Sequence, residues 1–323
     1  MEYIDLGKGI KVSKLQFGCS RLGKAVLEDT TKIGPEILQQ ALDSSINFFD
    51  TASNYTYGHS EVLLGDFIKK NRDKLVISTK GGTLLSKKAQ RATILKPIYG
   101  IIRPVIQKYK ALKKHKKRFN FDYQYLADTL DTSLERLNLD SVDLYYIHNP
   151  VPEVITNPKT GQFLEGLKKS GKAKLTGLSV QHMKEIPLIQ NFDGIDVVQF
   201  SLNYYNFKPE YIEILENLKN KGVKLIARTP FERGLLTEYN EVKTGGRAGQ
   251  KDINFNEIKE AYKKELGISE IQLAMWFMRD LDIADSILFS SFNKEHLADD
   301  IKAFEEPIKE RFSWKQLNPS NTK

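Results

Sequence analysis

Four apolar, strand-like runs of this chain end in side chains suited to polar chemistry: NFFD on Asp50, KLVISTK on Lys80, VDLYYIH on His148 and AKLTGLS on Ser179. Tyr55 follows Asp50 in the polar stretch TASNYTYG. A free phenol titrates near pH ~10, too high to exchange its proton easily at neutrality, but a neighbouring ammonium favours the phenolate. Lys80 is placed to supply that ammonium, so the pair could hand a proton to a developing alkoxide. Taken singly, each residue has a structural reading: Asp50 and Lys80 as an ion pair, Tyr55 as a loop tyrosine, His148 as a polar group under a loop. The chemical reading rests on their sharing one pattern. The remaining histidines, His59, His115, His182 and His296, show no spacing such as HExxH, so no metal site is expected.

Eight short apolar runs supply the elements that would hold these side chains: 14–17, 47–50, 74–80, 142–148, 173–179, 196–201, 223–228 and 286–290. Near-continuous apolar runs are the mark of buried parallel strands. The stretches between them, such as PEILQQALDSSI and PEYIEILENLKNKG, carry helical spacing with Gly near their ends. Eight strand–helix units predict a (β/α)₈ TIM barrel, whose active site lies at the C-terminal ends of the strands. Residues 2–13 read as a β-hairpin turning at Lys8-Gly9, and Ser269 with Gln272 as a capping box opening a helix in which Trp276 is core. The whole chain, 1–323, reads as one such barrel domain.

Two segments break the alternation, a basic stretch at 84–121 after the third strand and TPFERGLLTEYNEVKTGGRAGQKD at 229–252 after the seventh. Loops of this length are commonly functional. Between Leu84 and Phe121 stand twelve Lys and Arg residues and no Asp or Glu, more positive charge than the net +8 of the entire chain. The basicity therefore belongs to one segment and does not argue for nucleic acid. Ile98, Ile101, Ile102, Val105, Ile106, Tyr109 and Leu112 recur there at helical spacing. The insertion is thus expected to be amphipathic and helical, either packed on the barrel rim, forming a cationic lid that favours an anionic substrate, or making peripheral contact with an anionic membrane. Residues 305–323 read as a polar C-terminal tail.

Composition limits the remaining classes. With 40% hydrophobic residues the chain can bury a large core, and no apolar run is long enough to span a bilayer. The N-terminal MEYIDLGKGIKVSKL lacks the pattern of a secretory signal, and the lone Cys19 excludes an intrachain disulfide, so a reducing cytoplasm is expected. Oligomeric state is not legible.

The segment FFDTASNYTYGHSEVLLG and the three other strand endings resemble the aldo-keto reductase superfamily over about residues 1 to 304. The resemblance implies a barrel closed at the bottom by the N-terminal hairpin, and a tetrad of Asp50, Tyr55, Lys80 and His148. In that tetrad Asp50 pairs with Lys80, and His148 hydrogen-bonds the substrate carbonyl and aligns it with Tyr55. It implies NADPH as cofactor, with NADH as the alternative, and a small carbonyl substrate. The nicotinamide carboxamide would be held by Ser179 and Gln199, and backbone near the cofactor would come from Gly18, Cys19 and Ser20. No GxGxxG fingerprint is present, in keeping with a dinucleotide bound in an extended pose. Three departures stand out: Val180 replaces a usual Asn, Arg228 replaces an aromatic that stacks on nicotinamide, and the last loop, FSSFNKEHLADD, offers Ser290 and His296 where basic residues usually hold the adenosine 2′-phosphate. Ser291, Asn293 and Lys294 are the available substitutes, and Asp300 completes the expected cofactor set.

The leading expectation is NAD(P)H-dependent reduction of an aldehyde or ketone to an alcohol, on a substrate that is a simple carbonyl compound, a sugar or an anionic, nucleotide-linked carbonyl compound. The competing one is a cofactor-binding regulatory or membrane- or partner-binding subunit with little turnover. The complete tetrad argues against it, because a pure binding protein needs no Tyr55 beside Lys80.

Overall fold

The computed structural model describes residues 1–25, 28–84, 119–237, 239, 263–264 and 267–306. The basic insertion from 85 to 118, most of the loop at 229–252 and the tail beyond 306 therefore lie outside the described residues.

The chain begins with the expected hairpin, β1 (Tyr3–Asp5) and β2 (Lys11–Ser13), paired antiparallel with Ile4 opposite Val12. Eight parallel strands follow: β3 (Leu15–Gly18), β4 (Phe48–Asp50), β5 (Val76–Gly81), β6 (Val142–His148), β7 (Ala173–Ser179), β8 (Val197–Ser201), β9 (Lys224–Arg228) and β10 (Ser286–Phe289). They close a barrel in sequence order, with β10 pairing back to β3. Each strand lies within two residues of the apolar run that announced it. The main helices are α1 (Gly34–Asp43), α2 (His59–Asn71), α3 (Tyr123–Leu137), the short α4 (Pro152–Ile155), α5 (Pro158–Lys169), the short α6 (Ile186–Ile189), α7 (Ile212–Asn220), α8 (Glu270–Leu281) and α9 (Lys294–Glu305).

Strand periodicity sorts the side chains into two cores. Phe48, Val76, Leu144, Tyr146, Leu175, Val197, Ile226 and Leu288 fill the barrel interior, joined by Leu6, Ile10 and Val12 of the hairpin. The hairpin thus plugs the barrel, and Lys8 Nζ donates to the carbonyl of Lys174 at its rim, at 2.7 Å. The residues between them, including Phe49, Ile77, Tyr145, Ile147, Leu178, Val198 and Phe200, point outward beneath the helices. Burying a side chain of that size stabilises by about 1.5–3 kcal/mol, so a one-residue slip in any strand would cost several such terms.

Helix ends follow the local signals. Ser269 and Gln272 close the capping box of α8, where Trp276 is buried in the outer core. Asn293 caps α9 by accepting from the backbone N–H groups of Glu295 and His296. Among the described residues no helix is long and apolar enough to cross a membrane.

Candidate active site

On β4, β5 and β6 residues an even number of positions beyond the inner apolar layer share its inward face, and these positions, two beyond Phe48, four beyond Val76 and two beyond Tyr146, bring Asp50, Lys80 and His148 to the barrel mouth. Lys80 and Asp50 are 1% exposed and joined as an ion pair from Nζ to Oδ2. Lys80 Nζ also donates to the carbonyl of Thr51 at 2.9 Å. Asp50 Oδ1 accepts from Ser78 Oγ at 2.6 Å and from Gln199 Nε2 at 3.3 Å. Burying two charges is offset only when each is paired and its remaining polar sites are satisfied, and here both are.

Tyr55 opens a 3₁₀ turn, Tyr55–Gly58, that connects β4 to α2. The turn contains Thr56 and Tyr57 at φ 43° and 61°, a conformation that costs non-glycine residues energy and must be held by its surroundings. Thr56 Oγ1 donates to the carbonyl of Leu22 at 2.6 Å. Beneath the turn, buried Glu61 accepts from Thr79 Oγ1 at 2.7 Å and from Arg136 Nη1 at 3.1 Å, while the same Nη1 donates to the carbonyl of Ser53 at 3.3 Å. The turn is thereby tied to β5 and α3. Tyr55 presents its ring 5.1 Å from Lys80 Nζ and meets the His148 ring edge-on, with centroids 5.8 Å apart at 85°.

His148 is 8% exposed, and Thr83 Oγ1 lies 3.4 Å from its Nδ1. Burial, followed by the charges of Lys80 and Arg228, holds its pKa well below the usual histidine range. The imidazole is therefore neutral near pH 7. A neutral ring carries one N–H; in the tautomer whose Nδ1 accepts from the Thr83 hydroxyl, that N–H is on Nε2 and is available to an oxygen.

Asp50, Tyr55 and His148 line a cleft of about 800 Å³. Of the residues expected to hold a cofactor, Gly18, Ser20, Arg228, Ser290, Ser291, Asn293, His296 and Asp300 line this same cleft. At Gly18 an added Cβ would stand 3.2 Å from the carbonyl of Phe289, so the backbone of β3 and β10 approach closely there. Ser290 Oγ bridges the two strands by donating to the Gly18 carbonyl at 2.8 Å. Four expected residues do not line the cleft. Cys19 is fully buried in the outer core, with its thiol pKa pushed up chiefly by burial. Ser179 and Gln199 lie beneath the cleft, bonded to each other from Oγ to Oε1 at 2.7 Å. Lys294 directs its ammonium to Glu36 on α1, at 2.5 Å.

Sequence reasoning missed Ser78, Thr83 and the Glu61–Arg136 pair. Ser78 was within reach of it: two residues before Lys80 on a strand means the same face. The Glu61–Arg136 pair joins two helices 75 residues apart and left no local signal. Arg21, which pairs with Glu28, and Tyr239, whose ring stacks on His296 at 3.4 Å between centroids, also line the cleft unannounced.

The comparisons with known proteins agree with the barrel fold. A sequence profile of the Aldo/keto reductase family matches residues 14–317. The chain is 26% identical over 247 residues to D-threo-aldose 1-dehydrogenase of Pseudomonas sp, spanning 74% of this chain and 71% of that one. It is 27% identical over 310 residues to L-glyceraldehyde 3-phosphate reductase of Escherichia coli K12, spanning 87% and 80%. Its fold resembles that of aldo-keto reductase AKR11C1 from Bacillus halodurans in its holo form, with a TM-score of 0.73 and 21% identity over 95% of this chain and 92% of the other.

Proposed function

The chain belongs to the aldo/keto reductase family and is an NAD(P)H-dependent oxidoreductase acting on carbonyl groups; from that premise we propose that Tyr55 is its proton donor and that Asp50, Lys80 and His148 serve it. The observation that carries this reading is the Lys80 ammonium, held between the Asp50 carboxylate and the Tyr55 ring next to a neutral His148. When bound, the nicotinamide cofactor supplies the hydride. His148 donates its one N–H to the substrate oxygen and so fixes the carbonyl beside Tyr55. As negative charge develops on that oxygen, Tyr55 gives up its proton, and the Lys80 ammonium stabilises the phenolate left behind. Asp50 pairs with the Lys80 ammonium and holds it from swinging into the cleft. Such general acid catalysis contributes typically about 10²–10⁴-fold.

The residues present fit a nicotinamide dinucleotide. Gly18, Ser20, Arg228, Ser290, Ser291, Asn293, His296 and Asp300 line the cleft together with Asp50, Tyr55 and His148, and Asn293 stands at the N-terminus of α9, where the helix dipole favours phosphate oxygens. NADPH is the proposed cofactor, with Ser291, Asn293 and His296 toward the 2′-phosphate. Both relatives named above act, by their names, on sugars or sugar-derived aldehydes. A polyhydroxylated carbonyl compound is accordingly the proposed substrate, and Arg21, Arg228, Asn149 and Gln181 around the cleft offer donors for its hydroxyls. A cytoplasmic setting accords with the single, buried Cys19.

A panel of aldoses, phosphorylated aldehydes and apolar aldehydes, each assayed for cofactor oxidation, tests this reading. Turnover confined to polyhydroxylated members supports it. Preference for apolar aldehydes would overturn the substrate class, and absence of turnover with every member would overturn the enzymatic reading.

A further inference from the structure

Asp50 is gripped at both oxygens by a single strand. Ser78 on β5 is the direct register partner of Asp50 on β4, and Lys80 stands two residues further along the same face. Ser78 Oγ donates to Oδ1 at 2.6 Å and Lys80 Nζ to Oδ2. The second donor to Oδ1, Gln199 Nε2, is at 3.3 Å, beyond the usual 2.7–3.2 Å of an N–H···O bond. The Ser78 distance falls in the short range of charge-assisted O–H···O⁻ bonds. Ser78 is fully buried, so no solvent can take its place.

A carboxylate held at one oxygen can rotate about its bond to Cβ; held at both, it cannot. We infer that Ser78 is a positioning residue for proton transfer: by fixing Oδ1 it sets the plane of Asp50, so that Oδ2 stays on Lys80 while the ammonium remains aimed at Tyr55. The inference rests on Tyr55 being the proton donor. Without the hydroxyl, Oδ1 loses its strongest donor in a site that water does not reach, and the charge of Asp50 draws on Lys80 instead. The ammonium then does less for negative charge on the phenolic oxygen.

Three substitutions separate position from packing. Ser78→Ala removes the donor, Ser78→Cys keeps the volume with only a weak donor, and Ser78→Thr keeps the hydroxyl. Ser78→Ala and Ser78→Cys are expected to lower kcat about tenfold, the equivalent of one charge-assisted bond. They should also move the high-pH limb of kcat for carbonyl reduction upward by about half a unit to one unit. KM and the cofactor dissociation constant should stay near those of the parent, the thermal midpoint should fall by a few degrees because Oδ1 is left short of a donor in a dry site, and Ser78→Thr should recover most of both losses. An unchanged kcat and an unchanged limb in both Ser78→Ala and Ser78→Cys would overturn the inference. Tyr55→Phe, assayed alongside, separates the two levels. Full turnover in Tyr55→Phe removes the acid and this inference with it, whereas an inactive Tyr55→Phe beside a normal Ser78→Ala defeats the role of Ser78 alone.

Discussion

Lys80 and Tyr55 reach one another from different strands: the ammonium at the mouth of β5 lies 5.1 Å from the centre of a ring carried by the turn after β4. Each side chain is held independently. Lys80 is fixed by Asp50 and the Thr51 carbonyl, and the turn bearing Tyr55 by Leu22, Ser53 and the Glu61–Arg136 pair beneath it. The preorganisation of the proposed acid is thus a property of the barrel.

Lys80→Met leaves the Asp50 carboxylate buried without its cation. Breaking a buried pair from one side costs about 3–5 kcal/mol, and the expected result is a thermal midpoint several degrees below the parent. Adding Asp50→Asn to Lys80→Met should return part of that loss without restoring turnover. Calorimetric melting of the three proteins checks both statements; a double variant less stable than Lys80→Met would contradict them.

His148 makes stability depend on pH on the acid side. Its folded pKa lies well below the usual histidine value of about 6.5. Between the folded value and about 6.5 the unfolded chain binds the proton that the folded protein refuses, so stability rises with pH across this window and falls as acid is added. Denaturant unfolding between pH ~5 and ~7 should show this slope, reduced in His148→Gln. An identical slope in the variant would assign it to other groups.

Gly58 ends the turn of Tyr55 at φ 88°, and a Cβ there would stand 2.5 Å from Arg136 Nη1. Gly58→Ala must displace the guanidinium and strain the backbone. A loss of about 1–3 kcal/mol in stability is expected, together with a fall in kcat larger than any change in KM, because the acid is moved and the cleft is not. Normal kcat in a destabilised Gly58→Ala would show that the turn tolerates displacement.

The barrel was legible because it depends on local pattern: apolar runs give strands, period two gives the inward face, and the strand ends put Asp50, Lys80 and His148 at the mouth, whereas the grouping of these three with Tyr55 came from the family resemblance. The hairpin plug and the Ser269–Gln272 cap were readable for the same reason. Contacts joining distant elements were not. The Lys294–Glu36 bridge brings α9 to α1, and Tyr239 stacks on His296 from a segment distant in sequence; neither pairing follows from spacing. Ser179 and Gln199 were placed correctly on their strands, but their bond to each other depends on the register of β7 and β8.

The Lys294–Glu36 bridge bears on cofactor choice. The ammonium is half exposed and already engaged, so it is a weak grip on a 2′-phosphate. The preference for NADPH over NADH should be at most about 10²-fold, some 3 kcal/mol, and Glu36→Ala should strengthen NADPH binding by releasing Lys294. Calorimetric titration with both cofactors decides it; a preference of several orders of magnitude would reveal a phosphate ligand elsewhere.

Tyr55→Phe tests the central claim most directly, because it removes one hydroxyl and keeps the ring beside Lys80 and His148. Cofactor affinity by titration and single-turnover carbonyl reduction should be measured on the same preparation. The account predicts unchanged cofactor binding with reduction slowed by about 10²–10⁴-fold; reduction at near the parent rate would contradict it.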